Sequence, residues 1–80
     1  MNADEIRTRL EDSFEDCEVA VEEPMPGKFL VRVIGERFAG LPRVKREMKA
    51  GAPLRDAILD GRLHAVSYQV YTPAEWSGRD

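Results

Sequence analysis

The stretch Phe29-Leu30-Val31-Arg32-Val33-Ile34 is apolar on nearly both faces. A strand of that kind belongs in the centre of a sheet. The residues before it alternate: Cys17, Val19 and Val21 fall on one face, Glu18, Ala20 and Glu22 on the other. That is the period of a half-buried strand. Pro24-Met25-Pro26-Gly27 breaks the chain between the two runs, so they predict a hairpin with a longer loop. A third strand is predicted from about Leu63 to Tyr71, with His64, Val66, Tyr68 and Val70 on one face.

Helical spacing fills the rest. Ala3, Ile6, Leu10 and Phe14 form one apolar stripe, and Asn2 followed by Glu5 reads as a capping box. Glu5 and Arg9 stand four apart and are expected to pair. After Phe38-Ala39-Gly40, the residues Leu41, Val44 and Met48 share one helical face, while Arg43, Lys45, Arg46 and Lys49 populate the remainder. Gly51 and Pro53 interrupt this pattern. A second short helix follows through Leu54, Ala57 and Ile58, and Gly61 stops it. Near the end, Thr72 is an N-cap, Pro73 the first helical residue and Glu75 the partner in a second capping box. Tyr71 and Trp76 are placed to staple that helix onto the third strand.

The resulting order is helix, strand, strand, helix, helix, strand, short helix. It predicts an α+β fold with a three-stranded mixed sheet and helices packed on one face. If the second and third strands are neighbours, they can run parallel with a right-handed crossover through the two helices. Eighty residues make one domain, spanning 1–80. The formal charge of −3 and pI near 5.1 argue against general affinity for phosphate backbones, though not against a local basic patch. A single cysteine, Cys17, excludes an intramolecular disulfide and suits a reducing compartment. No apolar run has the length of a membrane span, and the acidic start Met1-Asn2-Ala3-Asp4-Glu5 is unlike a signal peptide. A cytoplasmic location is expected.

Five pieces in this order, Phe38-Ala39-Gly40, Arg43-Val44-Lys45-Arg46, Pro53-Leu54, His64-Ala65-Val66-Ser67 and Tyr71-Thr72-Pro73-Ala74-Glu75-Trp76, resemble the BolA family, and within it the IbaG (YrbA) branch. The resemblance implies a fold similar to a class II KH domain and no catalytic activity. It implies a role in iron–sulfur cluster handling as partner of a monothiol glutaredoxin, or in some members a role as a stress-linked transcriptional regulator. It places His64 where members supply a histidine to a shared [2Fe–2S] cluster. Many members add a His or Cys from the hairpin loop; here Lys28 stands at that position, and an ammonium cannot ligate iron. Arg46-Glu47 and Ala50-Gly51 likewise replace the Arg-His and Val-Tyr pairs common in the family.

Each candidate residue also has a plainer role. His64, the only histidine, is either a cluster ligand of the kind imidazole provides in Rieske centres or a strand-edge side chain bonded to backbone. Cys17 is a soft ligand or, as favoured here, a small apolar residue. One Cys and one His cannot close a metal site, so any metal is shared with another molecule. Arg43, Lys45, Arg46 and Lys49 form either a DNA or partner surface or a solvated helix face. Gly51-Ala52-Pro53-Leu54 lacks the second glycine of a KH loop, and no aromatic residue interleaves with the basic run. No activated nucleophile, carboxylate pair or phosphate loop is evident, so neither an enzyme nor a small-molecule substrate is expected. The sequence therefore predicts a cluster-sharing adaptor acting through His64, with a DNA-binding regulator as the alternative.

Overall fold

The computed structural model describes residues 1–78. The order is α1 (Ala3–Ser13), β1 (Glu18–Met25), β2 (Lys28–Ile34), a 3₁₀ turn (Glu36–Phe38), α2 (Arg43–Gly51), a second 3₁₀ turn (Ala52–Leu54), α3 (Arg55–Leu59), β3 (Ala65–Tyr71) and α4 (Pro73–Ser77). The sheet order is β1-β2-β3. β1 and β2 pair antiparallel, and β2 and β3 pair parallel. The apolar run Phe29–Ile34 thus lies in the central strand, as its composition requires.

Both capping boxes form. Asn2 accepts from the Glu5 N–H at 2.9 Å while the Glu5 carboxylate accepts from the Asn2 N–H at 3.2 Å. Thr72 and Glu75 exchange the equivalent bonds at α4. Because Glu5 is engaged there, the expected Glu5–Arg9 pair does not form. Arg9 instead reaches Asp56 of α3 at 2.8 Å and ties the first helix to the third.

β1 runs further than the proline-rich turn suggests, to Met25. Pairing is irregular between Glu22 and Met25, which places Pro24 where no ladder bond is demanded of it. The turn itself shrinks to Pro26-Gly27. Gly27 has φ of 76°, a conformation that favours glycine, and its N–H donates to the Glu23 carboxylate at 2.9 Å.

The core lies between one face of the sheet and the helices. Phe29, Val31 and Val33 of β2 meet Ile6, Leu10 and Phe14 of the α1 segment, Phe38, Ala50, Leu54, Ala57, Leu63 and Val70. Val19 and Val21 of β1, and Val66 and Tyr68 of β3, pack against this cluster. On the opposite face Trp76 of α4 closes one end. Its ring stacks on Tyr71 at 5.5 Å between centroids, and the Arg32 guanidinium lies 4.6 Å above it. The expected staple therefore forms, with an added cation–π contact.

One expectation is inverted. Val44 and Met48 do not face the core but stand 69% and 63% exposed. α2 buries Ala50 instead and turns Arg46 inward. The face of α2 turned to the sheet is the one that carries Arg46, Ala50 and Gly51. Arg46 reaches the Val70 carbonyl and Glu75, and the Tyr68 hydroxyl comes to 2.9 Å from where a Gly51 Cβ would stand. With that face inward, Val44 and Met48 point to solvent.

Candidate functional site

His64 immediately precedes β3 and is exposed. Gly61, with φ of 82°, ends α3, and the imidazole Cε1 leans to 3.8 Å of the point a Gly61 Cβ would occupy. The short Arg62-Leu63 link buries Leu63 and bonds its N–H to the Ala57 carbonyl at 3.0 Å. Leu63 is thus an anchor that leaves its neighbour His64 projecting outward. His64 does not share the buried face of Val66, Tyr68 and Val70. Among the described residues nothing hydrogen-bonds to its ring, so the plainer role of a histidine bonded to backbone is not the one it has.

Parallel pairing sets Lys28 opposite Ala65. His64 and Lys28 consequently line one groove, together with Pro24, Phe29, Leu30 and Val66. The hairpin position and the histidine position, separate in sequence, meet here. What the groove offers a metal is one imidazole beside one ammonium. Among the described residues no three His, Cys, Asp or Glu side chains come within reach of one ion. Cys17 lies elsewhere, below Gly35 at the other end of β2, with its thiol directed at Asp16. Burial, followed by the charge of Asp16, raises that thiol to about 11. A thiol so held is a poor nucleophile and a poor ligand at neutral pH.

The basic run of α2 divides. Arg46, expected on the surface, is only 13% exposed in its side chain. It donates to the Leu41 and Val70 carbonyls at 2.8 and 3.2 Å and clasps Glu75 through both nitrogens. It is a structural clamp covering the free edge of β3, not part of a binding face. Arg43 donates to Glu47 at 2.8 Å. Both guanidiniums are held still more firmly protonated by those carboxylates. Lys45 and Lys49 remain unpaired among the described residues.

A second groove runs between α2 and β3, lined by Arg43, Glu47, Tyr68, Tyr71 and Glu75. The Tyr68 hydroxyl is buried at its edge, and no described residue bonds to it. Burial, with the nearby Glu47 charge, raises its pKa. Tyr68 takes the space that Gly51 leaves open. Where the resemblance expects Val-Tyr, Ala50-Gly51 is thus matched by a phenol reaching in from the facing strand.

A mixed three-stranded sheet crossed by this helical pattern, with a histidine projecting at the start of β3, defines a class II KH-like domain of the BolA type. No family profile matches the sequence, but individual relatives do. The chain is 49% identical to the acid stress protein IbaG of Escherichia coli K12, over 61% of this chain and 58% of that protein's length. It is 34% identical to the DNA-binding transcriptional regulator BolA of Vibrio cholerae, covering 95% of this chain and 79% of that one. Among solved structures, BolA1 of Arabidopsis thaliana superimposes with a TM-score of 0.78 at 30% identity, over 94% of this chain and 96% of that chain. The protein belongs to the BolA family, in its IbaG branch.

Proposed function

We propose that this protein is a non-catalytic adaptor in iron–sulfur handling. It docks on a monothiol glutaredoxin and lends His64 as one ligand to a shared [2Fe–2S] cluster. The observation that carries this reading is the imidazole itself, projecting from a strand start with both ring nitrogens unengaged by described residues. The cluster and the partner class are what the resemblance to the family implies. The remaining ligands come from the partner, because the groove holds Lys28 where a second donor would stand. A ligating imidazole must be neutral.

A DNA-reading role, the one named for the V. cholerae relative, has less support here. Two of its four cations are committed to Glu47 and Glu75.

The test is visible circular dichroism of a cluster-loaded monothiol glutaredoxin mixed with the wild type or with His64→Ala. The wild type should change the spectrum and the variant should not. No change with the wild type, or equal change with both, would overturn His64 ligation.

A further inference from the structure

We propose that the outward face of α2 is a docking surface for a protein segment whose large apolar side chains are bordered by carboxylates. At 100° per residue, Val44, Met48 and Ala52 form one stripe along the helix and into the following turn, with Met48 at its centre. All three are exposed, although the core of this small domain has few large apolar side chains to spare. Lys45 and Lys49 border the stripe on one side, and the neutralised Arg43–Glu47 pair borders it on the other.

The charges identify the occupant. Carboxylates outnumber cations in this chain, 15 Asp and Glu against 12 Lys and Arg. Yet among the described residues none of them pairs with Lys45, Lys49 or the exposed Arg55 that follows. Arg7, Arg9, Arg37, Arg43, Arg46 and Arg62 all hold carboxylates. Unpaired cations beside an exposed apolar stripe complement an acidic, apolar partner. The surface continues at Lys49 and Ala52 into a groove with Phe14 and Pro53 at its base, where the charges of Asp16 and Arg37 cancel.

A nucleic-acid backbone would answer the lysines but leave Val44 and Met48 facing water, and residues 43–52 hold no aromatic ring for a base to stack on. A second copy of this chain carries the same net negative charge, which opposes self-association. The proposal does not rest on the cluster reading, since neither His64 nor its groove takes part.

The experiment uses the full chain labelled with ¹⁵N and a synthetic helical peptide with leucines along one face and glutamates on both flanks. Controls are its scrambled isomer, a short DNA duplex and phosphatidylglycerol vesicles. The peptide should shift the amides of Val44 to Ala52. Met48→Asp should weaken it about tenfold, the loss typical of a central anchor, and the double variant Lys45→Glu, Lys49→Glu should do the same. Thermal melts confirm that these surface variants fold. His64→Ala should bind the peptide as the wild type does, which separates this proposal from the function above. Shifts elsewhere, no shifts, equal binding of the scrambled peptide, tighter binding of duplex or vesicles to this face, or self-association through it would each overturn the proposal.

Discussion

Arg46 and Glu75 meet through two parallel bonds, Nη1 to Oε1 at 2.6 Å and Nη2 to Oε2 at 3.1 Å, and so join α2 to α4 across the edge of β3. Glu75 also accepts from the Thr72 N–H at 2.9 Å. One carboxylate therefore closes a capping box and anchors the guanidinium that covers the Val70 carbonyl. This is charge-assisted, bidentate geometry, the strongest form such a pair takes.

The Glu75 carboxyl is held at about 2 instead of its ordinary 4.5, first by Arg46 and then by the Thr72 N–H. A carboxyl depressed in the folded state adds stability that is complete above its ordinary value and lost as pH falls through the folded one. The gap in melting temperature between wild type and Glu75→Gln should be constant near neutrality and close between about pH 4.5 and 2. A gap that persists undiminished at the acid end would show that the contribution is not ionic.

The inverted α2 makes a stability contrast that sequence periodicity would not give. Leu54 is fully buried and Met48 is exposed. Leu54→Ala should cost about 3 kcal/mol in urea unfolding. Met48→Ala should stay within about 0.5 kcal/mol. Equal losses would mean that Met48 faces the core after all.

At Gly51, alanine would be favoured by helix propensity by about 1 kcal/mol, but its methyl group would meet the Tyr68 hydroxyl. Gly51→Ala should therefore bring no gain alone. Tyr68→Phe removes a buried hydroxyl that no described residue bonds and should be close to neutral. Together the two should exceed the sum of the single effects by at least about 0.5 kcal/mol. An additive double-mutant cycle would dissociate the two sites.

Cys17 should react slowly with a disulfide reagent in the folded chain. Its thiol is raised from 9.0 to about 11 by burial and by Asp16. Two pH units correspond to about a hundredfold less thiolate, and denaturant should restore that reactivity. Asp16→Asn should speed the folded-state reaction, whereas an unchanged rate would exclude Asp16 as a contributor.

Lys28→His would set a second imidazole in the groove that His64 lines. With a cluster-loaded glutaredoxin, the visible spectrum of the variant mixture should differ from that of the wild type and resist displacement better. If His64 ligates, this change should require His64. A spectrum indifferent to residue 28 would place the cluster away from this groove.

The local elements were legible because their signals are local. Alternation in Cys17–Glu22, the apolar run of β2, two capping boxes and the Tyr71–Trp76 staple depend on residues within a turn or two of each other, and each appears where its spacing puts it. The Glu5–Arg9 pair failed for a nonlocal reason. Asp56 comes from a helix far along the chain to take Arg9, and the capping box already holds Glu5.

Sequence alone determined the element order, the central strand, the family resemblance and His64 as the one imidazole available. Tertiary structure decided which way α2 faces, because periodicity marks an apolar stripe without saying what lies opposite it. The face turned to β3 carries Arg46, held by Glu75 and the Val70 carbonyl, and Gly51, beside which the Tyr68 ring fits, so the stripe of Val44 and Met48 turns outward. It also decided that Lys28 and His64 share a groove, since only the parallel register of β2 and β3 brings a hairpin residue beside the start of the last strand.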